Sequence, residues 1–89
     1  MASLYGFAYA SKSLSYLRAL QKKTRKQIIA KVNALAENPH PPTSKLVQGM
    51  LDNEERVYRI RSGDYRIPYV VRAPIIVVLD IDHRKDIYR

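Results

Sequence analysis

The chain has 89 residues, no cysteine and a formal net charge of +8. That length supports one domain with a single modest core, and the lack of cysteine excludes disulfides and thiolate metal sites. Two histidines, His40 and His83, make a poor zinc site on their own, and no apolar run approaches the roughly 18 residues of a membrane span.

Tyr5, Phe7 and Tyr9 alternate through SLYGFAYA, which predicts a first strand over residues 3–10. The N-terminal segment lacks the basic start and unbroken apolar run of a secretory leader, so a cytoplasmic protein is expected. Ser11 is a candidate cap for the helix that follows, where Leu14, Leu17 and Leu20 recur at steps of three. A second helix runs through KTRKQIIAKVNALAEN from Thr24, with Ile28, Ile29, Val32, Leu35 and Ala36 as its core stripe. Its other face carries Lys22, Lys23, Arg25, Lys26 and Lys31. Such a run is most often a solvated face; the alternative is a salt-sensitive grip on nucleic-acid backbone.

NPHPP (38–42) ends the second helix, and His40 reads as a solvated loop residue. Residues 43–53 read as loop with a short extended piece. Strands are expected over 55–61, 64–72 and 75–82, followed by the charged tail HRKDIYR. The order β-α-α-β-β-β predicts a single α+β domain over residues 1–89, with the two N-terminal helices packed on one face of a small, mostly antiparallel, twisted sheet. Residues 1–44 hold seven Lys/Arg against one acid, and residues 45–89 nine against seven. That excess points to a polyanionic partner, nucleic acid or an acidic protein.

VYRIRSGDYRIPYVV (57–71) reads as a hairpin with arginines at 59, 61 and 66. A two-residue Ser62-Gly63 turn sets Arg59 opposite Arg66, Arg61 opposite Asp64, and Tyr58 and Ile60 on the other, apolar face. At the next turn, a two-residue Ala73-Pro74 loop would put Asp80 and Asp82 in the core, at high cost. A three-residue loop, Arg72-Ala73-Pro74, is therefore expected, with Ile75, Val77, Leu79 and Ile81 inward and Asp80, Asp82 and Arg84 beside the arginines. Opposed arginines repel and destabilise a sheet, whereas guanidinium forks match phosphate oxygens. Neutralisation by Asp80 and Asp82 is the alternative. Pro68 cannot donate to a ladder, so its strand is expected to be bulged or to have a free edge there.

The hairpin YRIRSGDYR, the strand IIVVLDID and the ending HRKDIYR together resemble the RelE/ParE superfamily of bacterial toxins, on the RelE side. The resemblance spans the chain, with its specific part in the last third. It implies a small metal-free endoribonuclease, needing no cofactor, that enters the ribosomal A site and cleaves the mRNA there. It also implies a cognate antitoxin that blocks the toxin, operator DNA contacted only through that antitoxin, and no membrane. Carried over by position, the family's catalytic set falls on Arg59, Arg66, Arg84 and Tyr88. Arg61 and Lys45 are expected to bind substrate, as are Lys22, Lys23, Arg25 and Lys26 through ribosomal RNA. On the first hairpin strand arginines replace the lysines common in relatives, and Asp82 stands where relatives carry a small residue, commonly glycine, set to repel phosphate or to hold Arg84.

RNA brings its own nucleophile, the 2′-hydroxyl, so preorganised cations suffice without a metal. Tyr88 is a candidate base if neighbouring arginines favour its phenolate, and Arg84, Arg59 and Arg66 are candidates to clamp the phosphate. His83 is a rival acid, although alternation points it away from Arg84. Tyr58, Tyr65 and Tyr69 read as core. Two other outcomes share the fold: a ParE-like inhibitor of DNA gyrase, or an RNA-binding member without catalysis.

Overall fold

The computed structural model describes residues 5–83. Strand β1 (Gly6–Tyr9) leads into helices α1 (Ser11–Ala19) and α2 (Lys22–Ala34). The rest is sheet: β2 (Lys45–Asp52), β3 (Glu55–Ser62), β4 (Tyr65–Arg72), β5 (Ile75–Val78) and the two-residue β6 (Asp82–His83). The strands lie in the order β1-β5-β4-β3-β2, with β6 also paired to β4. β1 runs parallel to β5, and the other pairs are antiparallel.

The expected α+β layout holds, with strand β2 added and the expected last strand over 75–82 divided into β5 and β6. Residues 43–53 were expected as loop, yet they contain the edge strand β2. Two features hide it. Its register with β3 shifts between Leu46 and Leu51, around Gly49 at φ 75°, so the period-2 signal is broken. Its turn is Asn53-Glu54, both at positive φ (50° and 68°), as a type I′ hairpin requires. Asn favours that conformation and Glu does not, so the pair is a weak turn signal.

Helix α1 begins after Ala10 rather than Ser11, with no side-chain cap, and α2 begins at Lys22 rather than Thr24. The inward residues of α1 are Ser13 and Leu17; Leu14 is 40% exposed, against the expected leucine stripe. Ser13 turns inward, where its hydroxyl donates to the Val78 carbonyl (3.3 Å). The Ala10 N–H donates to the same carbonyl (2.9 Å). The start of α1 is thereby stitched to the end of β5. The α2 stripe is as expected, with Ile28, Val32 and Leu35 buried. These three and Leu17 pack on Ile60, Ile67, Tyr69, Ile76, Val78 and Ile81 of the sheet, each such side chain contributing about 1.5–3 kcal/mol by burial. The Tyr69 hydroxyl donates to the Pro39 carbonyl (2.6 Å), which ties the proline loop down over the core.

The β3–β4 turn is Gly63-Asp64, not Ser62-Gly63. Arg61 therefore faces Arg66, Arg59 faces Pro68, and Ile60 faces Ile67. Of the two turn residues only Gly63 has positive φ (59°), the type II′ pattern with glycine first. The slip is two residues, so every side chain stays on its expected face.

The β4–β5 turn is the two-residue Ala73-Pro74, joined by a cis peptide. The expected three-residue loop is incorrect, and Ile76 and Val78 point inward instead of Ile75 and Val77. The carboxylates nonetheless escape the core. Partner numbers in β4–β5 sum to 147, as in Tyr69 with Val78, but to 148 in β4–β6, as in Arg66 with Asp82. One extra residue lies between. The insertion falls where Pro68 has no N–H to offer: Leu79 N–H donates to the Pro68 carbonyl (2.9 Å), and no reciprocal bond can form. Asp80 leaves the sheet, its carboxylate accepting from Ile81 N–H (2.8 Å) and pairing with Lys12 of α1 (3.0 Å). Ile81 then falls on the core side, fully buried. No helix among the described residues is long and apolar enough to cross a membrane.

Candidate nucleic-acid interface

The helices cover one face of the sheet, and the arginines of the hairpin project from the other. Residues sharing a rung of an antiparallel pair have Cβ atoms about 4.5–5.5 Å apart, so the register defines the site. One rung runs Lys45, Arg59, Pro68 across β2, β3 and β4. The next, nearer the Gly63-Asp64 turn, runs Arg61, Arg66, Asp82 across β3, β4 and β6. Lys45 and Arg61 are exposed, while Arg59, Arg66 and Asp82 are half-buried.

Toward the other end the face changes character. Continuing the register sets Val57 opposite Val70, both fully buried. Beyond them Arg72 bonds Asp52 (2.5 Å) and Glu55, and the hydrogen bond to Glu55 is the leading reason its guanidinium holds its proton more tightly than usual. Acid and base therefore cancel at that end. At the turn end, Lys45, Arg59 and Arg61 have no ion pair among the described residues. A sheet gains nothing in stability from facing Lys45 with Arg59 or Arg61 with Arg66. Such an arrangement suits an anion that bridges the pairs.

The predicted site residues divide into three groups. Lys45, Arg59, Arg61 and Arg66 are brought together, and Lys45 enters through the strand that the sequence hides. Arg84 and Tyr88 lie outside the described residues. Lys22, Lys23 and Lys26 are exposed on α2, across the sheet from the arginines, and Arg25 donates to the Leu20 carbonyl (3.3 Å), which fastens the α1–α2 corner. Asp80, expected among the arginines, is held by Lys12; its hydrogen bond is the main reason the Lys12 ammonium is harder to deprotonate than usual. His83 pairs with Tyr65 on the helix side, ring centroids 5.0 Å apart, as alternation predicts. His40 lies against Tyr58 at 4.4 Å. A cavity of about 390 Å³ opens between α2 and the C-terminal end of β3, lined by Lys31, Ala34, Leu35, Pro41, Ile60 and Arg61 among others.

Residues 8–88 match the family model described as ParE toxin of type II toxin-antitoxin system, parDE. No curated protein sequence matches. Solved structures with the same fold include RelE of the archaeal RelE–RelB complex from Pyrococcus horikoshii, at 24% identity and TM-score 0.75, covering 91% of this chain and 96% of that one. The intact RelBE toxin–antitoxin complex of E. coli aligns at 26% identity and TM-score 0.72, covering 89% and 95%. The RelB–RelE complex of Methanococcus jannaschii aligns at 25% identity and TM-score 0.68, covering 90% and 93%.

Proposed function

From a chain that belongs to the ParE toxin family of type II toxin–antitoxin systems, within the RelE/ParE superfamily, we propose a RelE-type activity: metal-free, ribosome-dependent cleavage of mRNA in the A site. The observation that carries this reading is the pair of adjacent rungs, Lys45 with Arg59 and Arg61 with Arg66, on an open face. Three of those four cations have no ion pair among the described residues. They would hold the substrate's phosphates while the cluster stabilises charge that develops on the phosphoryl oxygens. Arg84 and Tyr88 would complete the site from the tail. The exposed Lys22, Lys23 and Lys26 would grip ribosomal RNA from the far side, with Arg25 behind them as a structural support.

The partner we propose is an acidic antitoxin, suited to the +8 charge. Two surfaces suit it: the cavity beside α2, and the edge strand β2, where Leu46, Met50 and Leu51 are 43%, 50% and 65% exposed. The similar structures named above are themselves toxin–antitoxin complexes.

Primer extension on mRNA in purified translating ribosomes tests the reading. Wild-type protein should cut within the A-site codon, and Arg84→Ala and Tyr88→Phe should suppress cutting while retaining the fold. Fully active variants would refute the tail assignment. The family model's own description favours a second reading, a ParE-like inhibitor of DNA gyrase. That reading expects DNA damage on induction with the mRNA left intact.

A further inference from the structure

We propose that the cavity between α2 and the end of β3 receives one unstacked nucleotide of the bound RNA strand and reads its base. This rests on the reading above that RNA is the substrate, and it assigns that strand a specificity site.

The cavity exists because β2 is too short to cover β3. Strand β3 runs to Ser62, whereas its pairing with β2 stops at Lys45 opposite Arg59. Before Lys45 the chain turns away: the Ser44 N–H and hydroxyl both donate to the Pro41 carbonyl (2.9 and 2.8 Å). Residues 60–62 are therefore a free edge, paired to β4 alone. Ser62 and Tyr65 flank the two-residue turn and form its closing bonded pair. Alternation then aims the main-chain N–H and C=O of Arg61 out over the free edge.

The lining suits a nucleotide. Leu35, Pro41 and Ile60 offer apolar surface to the face of a base, and Thr43 brings a hydroxyl that both donates and accepts. Lys31 and Arg61 line the same cavity. Both are exposed, and neither has an ion pair among the described residues. Its volume of about 390 Å³ lies at the low end of the roughly 300–1,000 Å³ usual for small-ligand sites. Single-stranded RNA is read in this manner, with bases splayed from the strand and hydrogen-bonded along their edges. A second hollow of about 550 Å³ shares Lys31 and Ala34 and reaches Ser62 and Gly63 at the β3–β4 turn, which gives the strand a way onward.

Arg61 joins the cavity to the phosphate face. It follows Arg59 on that face and also lines the cavity. A strand crossing the rung of Lys45 and Arg59 reaches the free edge at Arg61. The next nucleotide turns over that edge into the cavity, with its phosphate between Arg61 and Lys31.

The test is ribosome-free binding of short single-stranded RNAs, intact or with one abasic position moved along the strand. Wild-type protein should lose affinity about 5–10-fold at one abasic position, the low end for a single base contact because no aromatic ring lines the cavity. Ala34→Phe fills the cavity from an exposed position on α2 and should abolish that difference, with the fold checked by circular dichroism. Thr43→Val keeps the shape and should change the ranking of the four bases at that position, leaving the abasic strand unaffected. Lys31→Gln should lower the slope of log K against log salt by about 0.7. Arg18→Gln, an equal loss of charge on α1 away from the cavity, should leave the base preference unchanged. Equal binding of intact and abasic strands by wild-type protein would overturn the proposal. So would a preference that survives Ala34→Phe, which would leave the cavity to a protein partner. A base preference lost in Ala34→Phe, in a protein that leaves ribosome-bound mRNA intact, would sink the nuclease reading and keep this site. Cleavage without any base preference would do the reverse.

Discussion

Lys45 and Arg59 face each other across β2 and β3, and the cost of that opposition is measurable. Two unit charges about 5 Å apart in water repel by roughly 0.8 kcal/mol. The long side chains can splay, and cross-strand pairs contribute about 0.2–1 kcal/mol, so about 0.5 kcal/mol is expected. Lys45→Gln and Arg59→Gln keep most of the aliphatic stems and remove the charges. Each should therefore stabilise the fold slightly at low salt, raising Tm by about 2–4 °C for a domain of this size. A double-mutant cycle in urea should return an unfavourable coupling of about 0.5 kcal/mol at low ionic strength. At 0.5 M salt, where screening acts over roughly 4 Å, the coupling should disappear. The same substitutions should weaken binding of single-stranded RNA, each lowering the slope of log K against log salt by about 0.7. A zero or favourable coupling at low salt would mean that the two cations do not share a rung, and the phosphate site would lose its geometric basis.

Tyr69→Phe removes the donor to the Pro39 carbonyl and should cost about 1–2 kcal/mol, the usual penalty for stranding one partner, read as a lower urea midpoint. Stability should also fall at alkaline pH, because burial pushes the Tyr69 and Tyr9 phenols above their ordinary value. A raised native pKa means that the unfolded chain loses its proton first. The contribution is intact below about pH 10 and declines as pH rises through the native value. Urea midpoints between about pH 8 and pH 11, followed alongside phenolate absorbance, check both direction and onset.

The legible parts of the sequence were those with strong period and consistent turn chemistry. The α2 stripe of Ile28, Val32 and Leu35 has the full helical period, and its burial follows. In α1 three evenly spaced leucines outscore a serine by hydrophobicity, yet Ser13 takes the inside position because the Val78 carbonyl lies in reach of its hydroxyl. A tertiary hydrogen bond of this kind leaves no trace in local pattern. Strand β2 failed for a related reason: its bulge at Gly49 and its turn at Asn53-Glu54 replace the two cues by which a strand is recognised. That omission concealed how Lys45 meets Arg59, since opposition across a rung is a property of the second strand as much as of the first.

The register errors matter according to their parity. Placing the β3–β4 turn one residue early along the chain changed the partner sum by two, so Arg59, Arg61 and Arg66 kept their common face although their partners changed. At the β4–β5 turn a loop one residue too long changed the sum by one, which inverts a face, and Ile75 and Val77 were exchanged for Ile76 and Val78. The carboxylates do stay out of the core, but by another route: the chain inserts a residue opposite Pro68 instead of lengthening the loop. Expected and actual phases then agree again at Ile81 and Asp82, while Asp80, the residue carried out of the sheet, goes to Lys12. Pro68, whose missing donor predicts a bulge or a free edge, is thus where the two registers come back into phase. Replacing Pro68 with a residue able to donate would remove the reason for the break. An unbroken ladder would then expose Ile81 and bury Asp82 together, which disables both the core and the arginine face above it.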